Sequence, residues 1–384
     1  MAPREVDWSK VHDQFGINRR FIWLNNCGIS AMPGPVLTVM ENYLRRLAEG
    51  GILEVPGETE LHERVRGRLA RLIGADPDEL ALVHHTQEGL SFVSQGLELR
   101  PGDRIVLVEN EYPSNVYPWE PWREKGVELA FAPLAPSPQA FVRGLLPLLE
   151  PPTRVVSLSA VHWCTGLPLP LEAVGKLCAE RDIRFVVDGA QGVGMLPLDV
   201  RRAQVDFLAF SAWKWLLGPV GLGALYIRRE RLANLRFPFK GTGSVIDDHH
   251  YLPYRDTLKP GTERYVLSTP NFNDWVYFDA SLDFLEGLGW GRVQGRIAAL
   301  ARYLGKGLRA LGFTPALEDG AGADTGIVAA APPKGREAGV LVRALADRNI
   351  IAAERLGRVR MAPHVYLLES QLDAALAACR DLVS

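Results

Sequence analysis

Between Arg184 and Arg229 the chain reads RFVVDGAQGVGMLPLDVRRAQVDFLAFSAWKWLLGPVGLGALYIRR, in which two short apolar runs each end at a polar residue. Phe185 to Val187 is β-branched and aromatic and stops at Asp188; Phe207 to Phe210 stops at Ser211, with Lys214 just beyond. Runs of this length, composition and spacing predict buried strands rather than helices. In an open α/β sheet the ligand crevice lies outside the carboxyl ends of the strands, so Asp188 and Lys214 are predicted to face one small molecule from two sides.

An acid and an amine delivered in that way suit pyridoxal 5'-phosphate, whose aldehyde takes a lysine amine as a Schiff base and whose ring nitrogen needs an acid beside it. Asp188 would keep the nitrogen protonated, and Lys214 would hold the aldehyde and then carry a proton. Taken singly, each residue reads more readily as a core-edge aspartate or a solvated surface lysine.

The fuller pattern is more specific. Asp188-Gly189-Ala190-Gln191, then Ser211-Ala212-Trp213-Lys214, then Gly218-Pro219-Val220-Gly221-Leu222-Gly223 resembles the class V aminotransferase-fold family of pyridoxal-phosphate enzymes. That family includes cysteine desulfurases, cystine lyases, kynureninase-like enzymes, isopenicillin N epimerase-like proteins and true aminotransferases. The resemblance implies a fold type I α/β architecture: a large, mainly parallel-sheet domain over residues 17–283, a smaller α/β domain over 284–384, and an N-terminal arm, 1–16. It also implies roles. Gln191 maps onto the ligand of the cofactor's phenolic oxygen and Ser211 onto a phosphate ligand, while Trp213 stands where many members carry a phosphate-touching histidine.

Other stretches extend the resemblance. His85-Thr86-Gln87-Glu88-Gly89 follows the predicted strand Leu80 to Val83 and opens a helix, whose free N–H groups suit a phosphate; Thr86 and Gln87 map onto phosphate ligands. Tyr112, after the strand Arg104 to Val108, occupies the place of a ring that stacks on the cofactor. Asn26, in Asn25-Asn26-Cys27-Gly28, lies in an opening motif that approaches the substrate carboxylate. His162 and Trp163 precede a turn lining the phenolic side; His162 is a candidate proton donor or a buried structural histidine. Arg360 resembles the fork for the substrate α-carboxylate, a task arginine performs better than lysine. Thr269, in Ser268-Thr269-Pro270-Asn271, implies a homodimer in which it reaches the neighbouring subunit's cofactor phosphate.

Composition narrows the class. Of the 384 residues 47% are hydrophobic and 23% charged, the net charge is -2, and no basic run marks a nucleic-acid partner. The start, MAPREVDWSKVHDQFG, lacks an apolar signal-peptide core, and no run reaches the roughly 18 apolar residues of a membrane span, so a cytoplasmic protein is expected. Cys27, Cys164, Cys178 and Cys379 are widely spaced and form no CxxC pair. Asp247-Asp248-His249-His250 lies in an irregular stretch without helical i, i+4 spacing, and no metal is expected there.

The expected enzyme acts on a small α-amino acid. Family desulfurases carry a thiol on a loop shortly before the carboxylate arginine; here Ile350 to Arg360 has no cysteine, which excludes persulfide chemistry at that place. Amino transfer is placed first, followed by C–S lyase chemistry without a protein thiol and by epimerisation. A non-catalytic binding module would make Lys214 dispensable. A nucleotide-binding α/β protein is disfavoured because neither GxGxxG after the first strand nor GxxxxGK[ST] occurs where required.

Overall fold

A computed structural model describes residues 6–54, 57–318, 320–321 and 324–384. Seven strands form its main sheet: β2 (Leu80–Val83), β3 (Arg104–Val108), β4 (Glu128–Ala132), β5 (Thr153–Ser159), β6 (Arg184–Asp188), β7 (Phe207–Ser211) and β8 (Gly223–Ile227), following the short β1 (Ile22–Trp23). The spatial order is β2-β8-β7-β6-β5-β3-β4, and only β8 runs against its neighbours. The predicted α/β class with a mostly parallel sheet is therefore observed. Every residue of β7 is buried, as a strand covered on both faces requires.

The two-residue period of a strand divides the core. Val156, Leu158, Phe185, Val187, Leu208 and Phe210 pack toward the face covered by helices Glu58–Ile73 and Leu171–Ala179. Their alternates Val155, Val186, Phe207 and Ala209 pack against Leu90 and Val93 of helix Thr86–Gly96 on the other face. With both faces closed, the crevice left to a ligand lies at the strand ends.

A second sheet of four antiparallel strands has the order β12-β13-β10-β9, from β9 (Thr314–Pro315), β10 (Val328–Ala331), β12 (Ala353–Arg355) and β13 (Arg358–Met361). Between β10 and β12, β11 (Ile350–Ile351) pairs in parallel with β1, matching Ile22 to Ile350 and Trp23 to Ile351. Helix Trp290–Ala310 presents Ile297, Leu300, Leu304 and Leu308 to this region, the i, i+3/i+4 stripe of an amphipathic helix. Gly166 abuts β10: its φ is +78°, and a Cβ there would lie 2.5 Å from the Ile327 carbonyl oxygen.

Several predicted elements are shorter in the structure. The sequence over 118–125 reads as a helix, but the structure confines it to Pro121–Glu124, because Pro121 occupies its first position and the preceding residues form turns. The run Arg20 to Leu24 reads as a strand, but only Ile22–Trp23, the two residues with a partner strand, form one. β9, β11 and β12 have two or three residues each and exist through pairing with distant segments, a relation that local pattern does not carry.

Candidate active site

The exits of β2, β3, β5, β6 and β7 converge with the hairpin β12–β13 on one cavity of about 300 Å³. Thr86, Gln87, Tyr112 and Trp163 line it from the first three exits, and Asp188, Gln191, Ser211, Trp213 and Lys214 from the last two. Arg360, on β13, closes the far side. Ten of the residues singled out in the sequence thus share one enclosure.

Asp188 ends β6 with 3% exposure and accepts one hydrogen bond, from the Ala190 N–H (2.8 Å). Burial, reinforced by the charge of Glu111, raises its pKa to about 7, and Lys214 opposes the shift. Burial lowers the Lys214 pKa, and the positive charge of Arg360 acts in the same direction against the pull of Asp188. The site thus holds an acid made more basic and an amine made more acidic than their free forms. The Lys214 ammonium lies 5.6 Å from the centroid of the Tyr112 ring.

At the start of helix Thr86–Gly96 the Thr86 and Ser211 hydroxyls meet at 2.6 Å, and His85 caps the helix by accepting the Glu88 N–H. The N–H groups of the first turn have no intrahelical partner and lie at the positive end of the helix dipole, which suits a phosphate. Gln191 already uses both ends of its amide: Nε2–H donates to the Cys27 carbonyl (2.8 Å) and Oε1 accepts from Trp215 Nε1–H (2.9 Å). One N–H remains for a ligand.

The opposite wall is cationic. Arg360 is 3% exposed; it donates to the Trp163 carbonyl (2.8 Å) and to Asn25 Oδ1 (3.4 Å), and its buried Nε has no partner among the described residues. Arg355, at the end of β12, lines the same cavity and donates to the Glu354 carbonyl. Both guanidinium carbons lie near the Trp163 ring, at 6.0 Å for Arg355 and 5.8 Å for Arg360. Among the described residues neither arginine meets a carboxylate, so the pair presents unneutralised positive charge to whatever enters.

Three predicted residues lie elsewhere. Asn26 is fully buried, donating from Nδ2 to the carbonyls of Ala362 (2.7 Å) and Trp23 (3.1 Å) and accepting from the Tyr366 hydroxyl; it ties the start of the chain to its end and does not line the cavity. His162 is also buried. Its Nδ1 faces the Thr165 hydroxyl and its Nε2 the Asn110 carbonyl, and burial lowers its pKa to about 4, so it is a neutral structural ring rather than a proton donor. Thr269 is exposed and lines no part of its own chain's cavity.

Arg355, His85, Ser114 and Cys27 line the cavity without having been singled out for chemistry. Arg355 carried a usable signal: a second arginine five residues before Arg360, within a charged, β-compatible stretch. Cys27 is the one thiol in the lining; burial raises its pKa against the lowering effect of Arg360, Lys214 and Arg355.

Comparison with known proteins agrees with this geometry. The chain is 30% identical over 310 residues to a probable cysteine desulfurase of Pyrococcus abyssi, covering 78% of this chain and 75% of that one. It is 33% identical over 250 residues to a cysteine desulfurase of Salmonella typhimurium, covering 64% and 61%. The apo cysteine desulfurase of Thermococcus onnurineus superposes with a TM-score of 0.90 at 25% identity, over 100% of this chain and 99% of that one. The cystine C–S lyase C-DES, in complex with its reaction product cysteine persulfide, superposes at 0.89 and 25% identity, over 96% and 99%. A model of the aminotransferase class-V family matches residues 22–371, and with the acid, the amine and the helix start gathered on one cavity, the chain belongs to that family of pyridoxal-phosphate enzymes.

Proposed function

We propose that this protein cleaves the Cβ–S bond of a cysteine-derived amino acid by β-elimination, releasing sulfur on the departing fragment rather than on a protein thiol. One observation carries the reading: the hairpin over 350–361 brings two arginines to the cavity and no cysteine. The amino transfer placed first from sequence gives way to this reading, which the cystine C–S lyase likeness supports.

The residues fit the family cofactor. Asp188 offers a buried, cavity-lining carboxylate hydrogen-bonded by the Ala190 N–H, Lys214 a half-buried, cavity-lining amine, and the Thr86–Ser211 hydroxyl pair a polar floor at a helix start. When bound, pyridoxal phosphate supplies an electron sink for the bond broken at Cα. Asp188 would sit beside the ring nitrogen and hold its proton, while Thr86, Gln87 and Ser211 would take the phosphate. Tyr112 and Trp163 would wall the ring. Arg360 would bind the substrate carboxylate through its unpartnered Nε, fixing which bond to Cα is oriented for cleavage. The Lys214 amine, its pKa lowered, would take the Cα proton as the sulfur leaves Cβ with its bonding pair. Water then completes conversion to pyruvate, ammonia and a sulfur-bearing product.

The working unit proposed is a homodimer, with Thr269 of each chain directed to the cofactor phosphate of the other. Large exposed apolar side chains support such an interface, Leu53 at 89% and Tyr254 at 88% exposure among them. Four free, buried cysteines support a reducing, cytoplasmic setting.

Incubation of the cofactor-loaded protein with cystine or S-substituted cysteines, without any keto acid, tests the reading. Equimolar pyruvate and ammonia support it. Alanine as the product would indicate desulfuration, and a keto acid formed only when a keto-acid acceptor is added would indicate amino transfer.

A further inference from the structure

A second carboxylate lies buried at the edge of this site. Glu111, in the loop that leaves β3, is 7% exposed and meets no cation within 4 Å among the described residues. Instead it collects four hydrogen bonds. Oε1 accepts the Tyr112 N–H (2.8 Å) and the Ser159 hydroxyl (2.7 Å); Oε2 accepts the Ser159 N–H (3.0 Å) and the Asn115 amide (3.3 Å). Asn115 is in turn held through its Oδ1 by the Ser157 hydroxyl (2.6 Å).

Burial of an anion without a cation is costly, and four donors are the kind of cradle that holds one there. The place is specific. Ser159 ends β5 and is the register partner of Asp188 on β6, so the Glu111 carboxylate is anchored to the residue beside Asp188 across the sheet. Tyr112, whose N–H it fixes, is one of the aromatic residues on the cavity wall. One side chain therefore touches the supports of two cavity groups.

We propose that Glu111 is a positioning residue of the cofactor site, acting on the ring nitrogen through the charge of Asp188 and on the ring face through the backbone of Tyr112. Two buried carboxylates, at the exits of β3 and β6 on either side of β5, repel when both are ionised, so the Glu111 charge strengthens the hold of Asp188 on a proton. Glu111 is the second cause, after burial, of the raised Asp188 pKa. Of the other titratable groups facing the pair, Lys214 beyond β7 opposes the effect, and His162 beyond β5 is neutral and bonded to Asn110. A more basic Asp188 keeps a hydrogen-bonded ring N–H protonated to higher pH, extending the range in which the ring accepts electrons. The role does not depend on whether the Cβ–S bond is the one cleaved.

The test is a pH titration of the visible cofactor band in the holoenzyme, alongside thermal unfolding. Glu111→Gln removes the charge and keeps an oxygen for the Tyr112 and Ser159 donors. The midpoint is expected to fall by about one pH unit, a tenfold loss of proton affinity. Ser159→Ala removes a donor from the Glu111 carboxylate, makes it easier to neutralise, and is expected to move the midpoint the same way by less. If Glu111→Gln fails to fold, Ser159→Ala decides alone. A lowered melting temperature with the wild-type midpoint in the variants that fold would show that Glu111 serves only to tie the loop, and would overturn the proposal.

Discussion

Replacing Asp188 by asparagine should make the cofactor-free protein more stable while abolishing its chemistry. The side chain is 3% exposed and its pKa is raised from 3.8 to about 7, with burial the largest cause and the charge of Glu111 the next. The folded chain keeps this proton to higher pH than the unfolded chain, so folded stability declines as pH climbs from about 4 to about 7 and levels off above. A separation of roughly 3 pH units, at about 1.4 kcal/mol each, corresponds to about 4 kcal/mol of destabilisation at pH 8 and ~1.5 kcal/mol at pH 5. Asparagine carries no charge at either pH, and its Oδ1 retains the hydrogen bond from the Ala190 N–H. Urea unfolding of the two apo proteins at pH 5 and pH 8 measures the difference. The variant's advantage should grow by ~2.5 kcal/mol between the two pH values, and adding pyridoxal phosphate should favour the wild type instead. An advantage that is the same at both pH values would refute the reasoning, because it would show that Asp188 does not titrate between them.

Two further outcomes are expected. Arg355→Ala should raise KM for a substrate with a second carboxylate about tenfold, the ~1.4 kcal/mol of one charge-assisted hydrogen bond, with little effect on a substrate lacking that group; steady-state kinetics on the two substrates checks this. Thr269→Ala should weaken cofactor binding several-fold without altering the sedimentation coefficient of the proposed dimer, as followed by fluorescence titration and ultracentrifugation.

The chemical centre was legible because its residue types are unusual where they stand. An aspartate and a lysine at the ends of apolar strands are costly unless used, and the runs Phe185–Val187 and Phe207–Phe210 fix the sheet by composition alone. What escaped reading depends on contacts across the chain. Asn26 resembles a substrate ligand in its motif, but its partner Tyr366 lies 340 positions away. Arg355, though an arginine five residues before Arg360, belongs to a three-residue strand whose existence rests on β13, and the pairing sets its place on the cavity. Glu111 looks like one more acid in a charged loop, and only the register of β5 with β6 reveals what stands beside it.

The pairing of β1 with β11, continued by the bridge from Asn25 to Ala362, has a consequence for biosynthesis. Residues near 25 leave the ribosome long before their partners near 350 and 362 exist, so this seam can be sewn only after more than 300 further residues have been made. Arg360 comes from the late side of that seam. A nascent chain could complete the seven-stranded sheet and still lack the wall that grips a carboxylate, so competence for substrate would arrive only with β12 and β13.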